Sequence, residues 1–459
     1  MEAKEIQWLC HPEAETFIAE RLRGFFNAFP SASAFADSLG RRTSTSIDDW
    51  LDHVILSDGD APRGRLADLG FEPEDVPTAS GDRAYHHPGT IFPRIVLRQD
   101  SGLAAGSAIG VAIQVEDISA FLMAHRLAAP IEGTPVSPYR KATAWQADGR
   151  RFLVVERRGH GGFVPLDMPP DYAQRYLHAS EQWATRRRTW TDNRAGMEHT
   201  LRLARTLVAE MGTDVAAWIA FAVERAGWQR RNRAGQIQKA RQDGLGLGWA
   251  NHDHHTFRSS RDTFSLLLEV LETFGFRPRE RFYAGAEAGW GAQVLEQPTC
   301  RFAVFADVDL SPSEVEGDFA HAALALRQEL GTVGLWCALH GESMLSAGMH
   351  HLACRFDFES VTAGLAESGI KMMRPFSDFP YLRQAFTQGE SWEVAPDRID
   401  RLAAAGQIDD AHRLKFVEKG ALGSHLENIQ RGEGFKGFNQ QTVSDIIRRT
   451  DPRIGFGAA

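Results

Sequence analysis

Cysteine is scarce. The 459 residues hold four, Cys10, Cys300, Cys337 and Cys354, and no two stand at a metal-binding or redox spacing. That excludes a disulfide-stapled secreted domain and leads us to expect a reduced, cytoplasmic protein. No apolar run approaches the roughly 18–20 residues that a bilayer-spanning helix needs, so no membrane segment is expected. The opening residues, MEAKEIQWLCHPEAETF, lack the basic and apolar regions of a secretory signal. A basic excess is also missing: the net charge is −9, which argues against nucleic acid as a partner. With 43% hydrophobic and 24% charged residues the chain is of ordinary globular composition, and its length calls for two or more domains. Whether copies associate into a homo-oligomer is left open. Histidine is plentiful, 17 in all, and several fall in tight groups.

Along the chain, an amphipathic helical pattern around Ala14–Phe29 is followed by a polar stretch from Ser31 to Asp48. From Trp50 to about Arg158, short β-branched or apolar runs (Val54-Ile55-Leu56, Ile95-Val96-Leu97, Val111–Val115, Phe152–Val155) are bounded by Gly, Pro and Asp, the signature of strands. Residues 171–242 hold little Pro or Gly and place apolar residues at helical spacing, as in Leu201–Met211. Gly244-Leu245-Gly246-Leu247-Gly248 closes this helical insert, and strand–helix alternation resumes at Trp249. The division expected is an N-terminal helical segment (1–49), a non-catalytic module pair (50–165), a helical insert (166–248) and a metal-binding module pair (249–459). Basic patches in the insert, such as Arg186-Arg187-Arg188, are read as solvated faces.

An internal repeat underlies that division. Trp50-Leu51-Asp52-His53-Val54-Ile55 is echoed by Ala250-Asn251-His252-Asp253-His254-His255-Thr256. Each leads through an amphipathic helix to a Gly–aromatic step, Leu69-Gly70-Phe71 in the first and Phe274-Gly275-Phe276 in the second. Met349-His350-His351 opens a third echo, and Val111–Asp117 opens one without histidine. Four strand–helix–strand–strand–strand units follow, roughly 50–100, 108–158, 251–310 and 348–431, which makes the fold class α+β with tandem βαβββ modules.

Side chains two and four apart on a strand share a face. His254 with Arg258, and His351 with Arg355, therefore place two imidazoles and two guanidiniums on the faces of two consecutive modules. His252 is read as sharing the face of His254, and His350 adjoins His351, so either can replace its neighbour; the H-x-x-x-R spacing favours His254. Glu427, between Leu426 and Ile429 in the last strand, is a carboxylate that needs a cation, either a metal or an arginine such as Arg431. Two histidines and one carboxylate leave open positions opposite them, the arrangement of non-heme Fe(II) oxygenases. In the N-terminal pair, His53 has no second-module histidine to match, and Glu156 is the strand carboxylate read at the equivalent end. Cys354 is read as a core residue, and Gln430 as facing away from the site.

Four such units in two pairs resemble the vicinal-oxygen-chelate superfamily, whose paired modules curl into open barrels. Met349-His350-His351-Leu352-Ala353 and Leu426-Glu427-Asn428-Ile429-Gln430-Arg431, followed by Gly434-Phe435-Lys436-Gly437-Phe438-Asn439, resemble strands of 4-hydroxyphenylpyruvate dioxygenase. Asp253-His254-His255-Thr256-Phe257-Arg258 is closer to the first-histidine strand of the 2-oxoadipate dioxygenase/decarboxylase (hydroxyglutarate synthase) family. The resemblance implies an Fe(II) site of His254, His351 and Glu427, with Arg258 on the substrate's distal carboxylate and Arg355 as a second clamp. It implies a dioxygenase that uses O₂ to decarboxylate a small 2-oxo acid and hydroxylate the product. The insert is foreign to hydroxyphenylpyruvate dioxygenase, and residues 381–425 depart from its pattern. The same scaffold also serves extradiol ring cleavage, metal-dependent lyases and isomerases, and non-catalytic small-molecule binding. A terminal helix over Gln440–Arg449 is expected to cap the pocket.

Overall fold

The structure, a computed structural model, describes residues 7–99, 102–439 and 450–454. The helix expected at 440–449 lies outside them. Two helices open the described chain, each with proline in its first turn, where the missing N–H costs nothing. The second, Pro30–Thr43, occupies the stretch that reads as merely polar; Ala32, Phe35 and Leu39 give it a narrow buried stripe.

The first module runs β1 (Leu51–Ser57), a helix, β2 (Glu72–Glu74), β3 (Arg83–His86) and β4 (Arg94–Arg98). The second runs β5 (Ala108–Gln114), a helix capped by Asp117, β6 (Ile131–Glu132), β7 (Tyr139–Ala147) and β8 (Arg150–Arg157). They join through β1 and β5 into an eight-stranded sheet of order β2-β3-β4-β1-β5-β8-β7-β6. The third module holds β9 (His252–Arg258), β10 (Arg277–Tyr283), β11 (Trp290–Gln297) and β12 (Phe302–Asp309). The fourth holds β13 (His351–Arg355), β14 (Ser377–Phe379), β15 (Leu382–Phe386), β16 (Glu390–Trp392) and β17 (Ala421–Arg431). Their sheet has the order β10-β11-β12-β9-β13-β17-β15-β14, with β16 paired to β17. These are paired βαβββ modules, the vicinal-oxygen-chelate arrangement.

Four helices, Tyr172–Thr185, Asn193–Met211, Thr213–Gln229 and Arg233–Asp243, lie between the two sheets in sequence. Their apolar faces join the core that backs β9 and β12, with Phe221 against Phe257, Phe276 and Phe302. Between β15 and β17 the chain detours through helices Pro396–Ala404 and Asp410–Lys419, which accounts for the departure from pattern there.

Pairing registers show that the two sheets are built alike. In the first, His53 lies opposite Ala112 of β5, and Leu153 of β8 lies beside Ala112. In the second, Ala353 of β13 lies beside Glu427 of β17, and His351 lies opposite Thr256. Both central pairings slip by one residue at the same place, between Leu51 and His53 in β1 and across His252 to His255 in β9. Each slip is a β-bulge, and the extra residue is an aspartate, Asp52 or Asp253.

Candidate metal centre

The bulge decides which histidines of β9 meet. An extra residue reverses the alternation of side chains, so His252 and His254 point to opposite faces. This corrects the simple period-two reading. His252 packs against His255 and Phe302 on the insert side, with ring centroids 5.2 and 5.3 Å away. His254 turns inward, toward His351, Phe305 and Phe438.

His254, His351 and Glu427 come together, one ligand atom from each lying within 4.8 Å of the others, and all three are buried. Glu427 Oε2 is 3.1 Å from His254 Nε2 and 3.1 Å from His351 Nε2. Gln384 Nε2 donates to the other carboxylate oxygen at 2.9 Å, and Thr256 Oγ1 is 2.7 Å from His351 Nε2. Burial alone would keep Glu427 protonated, but the two imidazoles outweigh it and hold the carboxyl well below its usual range. Burial likewise opposes charge on His254, yet Glu427 and Asp253 together raise it. His351, for which burial wins, is lowered. Two imidazoles aimed at one carboxylate oxygen form a donor set that suits Fe(II), Mn(II) or Co(II).

A second trio, His350, His351 and His425, also has ligand atoms within 4.8 Å of one another. It contains no carboxylate. Burial, neighbouring imidazoles and the Arg258 guanidinium hold His350 and His425 well below the usual histidine range. A dication there would face a buried positive charge without an anion to offset it, so charge balance favours the Glu427 site. His350 donates from Nδ1 to the Gly423 carbonyl at 3.0 Å, which leaves its lone pair on Nε2, so it is charge balance that separates the two sites.

The three ligand candidates stand on the wall of a cavity lined by Phe282, Trp290, Phe305, Phe376, Phe386 and Phe438, with Thr256, Asp307, Gln384 and Asn439 as its other polar residues. Neither arginine expected as a clamp lines it. Arg258 is buried behind Asp307, its Nε 3.6 Å from Oδ2, with Trp336 beneath its guanidinium. Arg355 turns to Asp253, Nε to Oδ2 3.7 Å. Arg431, the alternative partner for Glu427, pairs with Asp253 instead, Nε to Oδ2 3.0 Å. Gln430 points away and accepts from the Phe358 amide, and Cys354 is a core residue.

The pattern did not single out Asp307, Gln384 or His425. Asp307 carried a weak signal, an acid inside the apolar run Phe302–Val308; Gln384 carried none. In the N-terminal pair, Glu156 does not occupy the position equivalent to Glu427, which register assigns to Leu153. Glu156 instead pairs with Arg140 and Arg158 and accepts from the Ile118 amide.

No protein-family model matches the chain, and no curated protein matches its sequence. Among solved structures, it is similar to a variant of 4-hydroxymandelate synthase from Streptomyces coelicolor, at 16% identity over 88% of this chain and 99% of that one, with a TM-score of 0.29. It is also similar to a xylose isomerase-like TIM barrel/4-hydroxyphenylpyruvate dioxygenase fusion protein, at 14% identity over 90% of this chain and 53% of that one, TM-score 0.22. Methylmalonyl-CoA epimerase from Mycobacterium tuberculosis matches 39% of this chain and 87% of its own at 14% identity and a TM-score of 0.22. Among the described residues no helix is long and apolar enough to cross a membrane.

Proposed function

We propose that His254, His351 and Glu427 hold Fe(II), and that the protein is a dioxygenase whose organic substrate is a 2-oxo acid with an aromatic or bulky apolar side chain. The observation that carries the reading is the convergence of two imidazoles on one buried carboxylate, at the wall of an aromatic cavity. Bound there, Fe(II) would supply adjacent open positions at which a 2-oxo acid and O₂ can be activated together.

The chain's own residues supply the rest. Gln384 fixes the rotation of the Glu427 carboxylate, and Thr256 Oγ1 holds His351 Nε2 until metal takes that nitrogen. Six aromatic side chains exclude water and offer a flat apolar seat. Phe438 and Asn439 bring the segment after β17 onto the cavity. That lining favours an aryl-pyruvate over a dicarboxylate such as 2-oxoadipate, because Arg258 is occupied by Asp307.

O₂ uptake and CO₂ release by the iron-loaded protein test the reading. Aryl-pyruvates should give iron-dependent, coupled turnover, and 2-oxoadipate much less. Glu427→Gln should cut turnover by at least about a hundredfold, in line with the loss of a charged ligand. Absence of iron-dependent turnover with every 2-oxo acid tried would overturn it, and turnover of catechols instead would move the protein to ring cleavage.

A further inference from the structure

The residues around His254 recur, one for one, in the sheet that has no metal centre. In the second sheet, Asp253 Oδ1 accepts from His254 Nδ1 at 3.0 Å. Arg431, the last residue of β17, donates to that carboxylate from Nε at 3.0 Å and Nη2 at 3.1 Å. Its remaining Nη1 donates to the carbonyls of Phe435 and Gly437 at 3.1 and 2.6 Å. Phe438 closes the arrangement, 4.8 Å from the guanidinium and edge-on to His254 at 5.0 Å.

In the first sheet, Asp52 meets His53 Nδ1 at 2.6 Å, and Arg157, the last residue of β8, donates to Asp52 from Nε and from Nη2, the latter at 2.8 Å. Arg157 Nη1 donates to the carbonyls of His160 and Gly162 at 2.9 and 2.6 Å. Phe163 lies 5.1 Å from that guanidinium and edge-on to His53 at 4.8 Å. Register makes Gly110 the counterpart of His351 and Leu153 the counterpart of Glu427. An apolar cluster that includes Ile55, Leu153 and Phe163 fills the interior there.

The Asp–Arg–Phe latch thus holds a histidine ring in place where no other ligand exists. Its geometry does not depend on a metal. A neutral imidazole has one N–H and one lone pair, and a carboxylate fixed at Nδ1 leaves the lone pair on Nε2. We propose that Asp253, clamped by Arg431, is a positioning residue for the metal centre: it fixes the orientation of His254 before metal arrives and keeps Nδ1 as the protonated nitrogen once metal occupies Nε2, and Arg431 ties that orientation to the turn carrying Phe438. The proposal rests on the reading of His254, His351 and Glu427 as metal ligands.

Co(II) affinity of the full chain, measured by chelator competition and by the Co(II) absorption spectrum, tests it in the parent, D253N, R431K and D52N. D253N should bind Co(II) about 10–100-fold more weakly, with an altered spectrum. R431K, which loses the two-pronged grip, should show a smaller loss in the same direction. D52N breaks the same latch in the other sheet, so it should lower thermal stability but leave Co(II) affinity within about twofold of the parent. A folded D253N with parent-like affinity and spectrum would overturn the proposal, as would D52N weakening Co(II) as much as D253N. Should D253N not fold, parent-like Co(II) binding by R431K would overturn it. If the parent binds Co(II) and D253N is unchanged, this inference alone falls; if the parent binds no Co(II), the metal reading falls with it.

Discussion

Asp307, in the cavity wall, faces Arg258 behind it, and neither has another opposite charge within ion-pairing distance among the described residues. Burial raises the Asp307 carboxyl to about 7 in spite of Arg258. In the unfolded chain an aspartate releases its proton near 4. Between those values the folded protein binds the extra proton, so this group makes stability fall as pH rises from about 4 to about 7. Burial lowers His252, His255, His340, His350 and His425, which pull the other way, so the test is the difference: denaturant midpoints should climb more steeply with pH across that window in Asp307→Asn than in the parent. At this scale the sequence is legible wherever alternation holds. Glu427 follows from strand position and chemistry, whereas alternation leaves His350 open beside His351, and it is the H-x-x-x-R spacing that favours His254 over His252, although Arg258 does not line the cavity. The error at His252 has one cause: a bulge at Asp253 adds a residue without leaving a mark in composition. Arg355 illustrates a second limit, since spacing gives a face but not the partner that claims the guanidinium, here Asp253.

The helical insert, whose basic patches read from sequence as solvated faces, anchors a turn close to the site. Glu224, buried in its third helix, receives Trp183 Nε1 at 2.9 Å, Arg186 Nη2 at 2.8 Å and Arg188 Nη2 at 2.7 Å. Those arginines also donate to the carbonyls of Met344 and Leu345, in the turn whose Ser343 Oγ accepts from the Arg258 amide at 2.8 Å. Arg186 is therefore buried rather than solvated, contrary to the sequence reading of the Arg186–Arg188 patch, while Arg187 remains exposed. Glu224→Ala leaves two guanidiniums without their anion and should cost about 3–5 kcal/mol, read as a lower denaturant midpoint. The insert was legible as one helical stretch from its apolar spacing and its scarcity of Pro and Gly, but its division into four helices, two of them capped by Asp192 and Asn232, was not. The detour at 396–419 was not legible: its two helices are short and bury only Ile399, Leu402 and Phe416.

Across the whole molecule, one architecture is built twice and equipped once. The four-unit repeat could be read from the sequence because each unit starts with a β-branched or histidine-bearing strand, and three of the four leave their helix through a Gly step, at Gly70, Gly275 and Gly369. What could not be read is the way the first half supports the second. His11 and Ile91 donate backbone hydrogen bonds to the carbonyls of Glu433 and Gly434 at 2.8 and 3.1 Å, bracing the turn that leads to Phe438. Such contacts join residues more than 300 positions apart and depend on backbone atoms, which carry no residue-specific signal. With the N-terminal interior filled by Ile55 and Leu153, the chain should bind one metal ion, not two. Anomalous diffraction from crystals of the full chain soaked in Fe(II) is the most direct measurement. It should give a single iron peak per chain, about 2 Å from His254 Nε2, His351 Nε2 and a Glu427 oxygen. A peak among His350, His351 and His425 instead, or no peak in either sheet, would contradict the proposed centre.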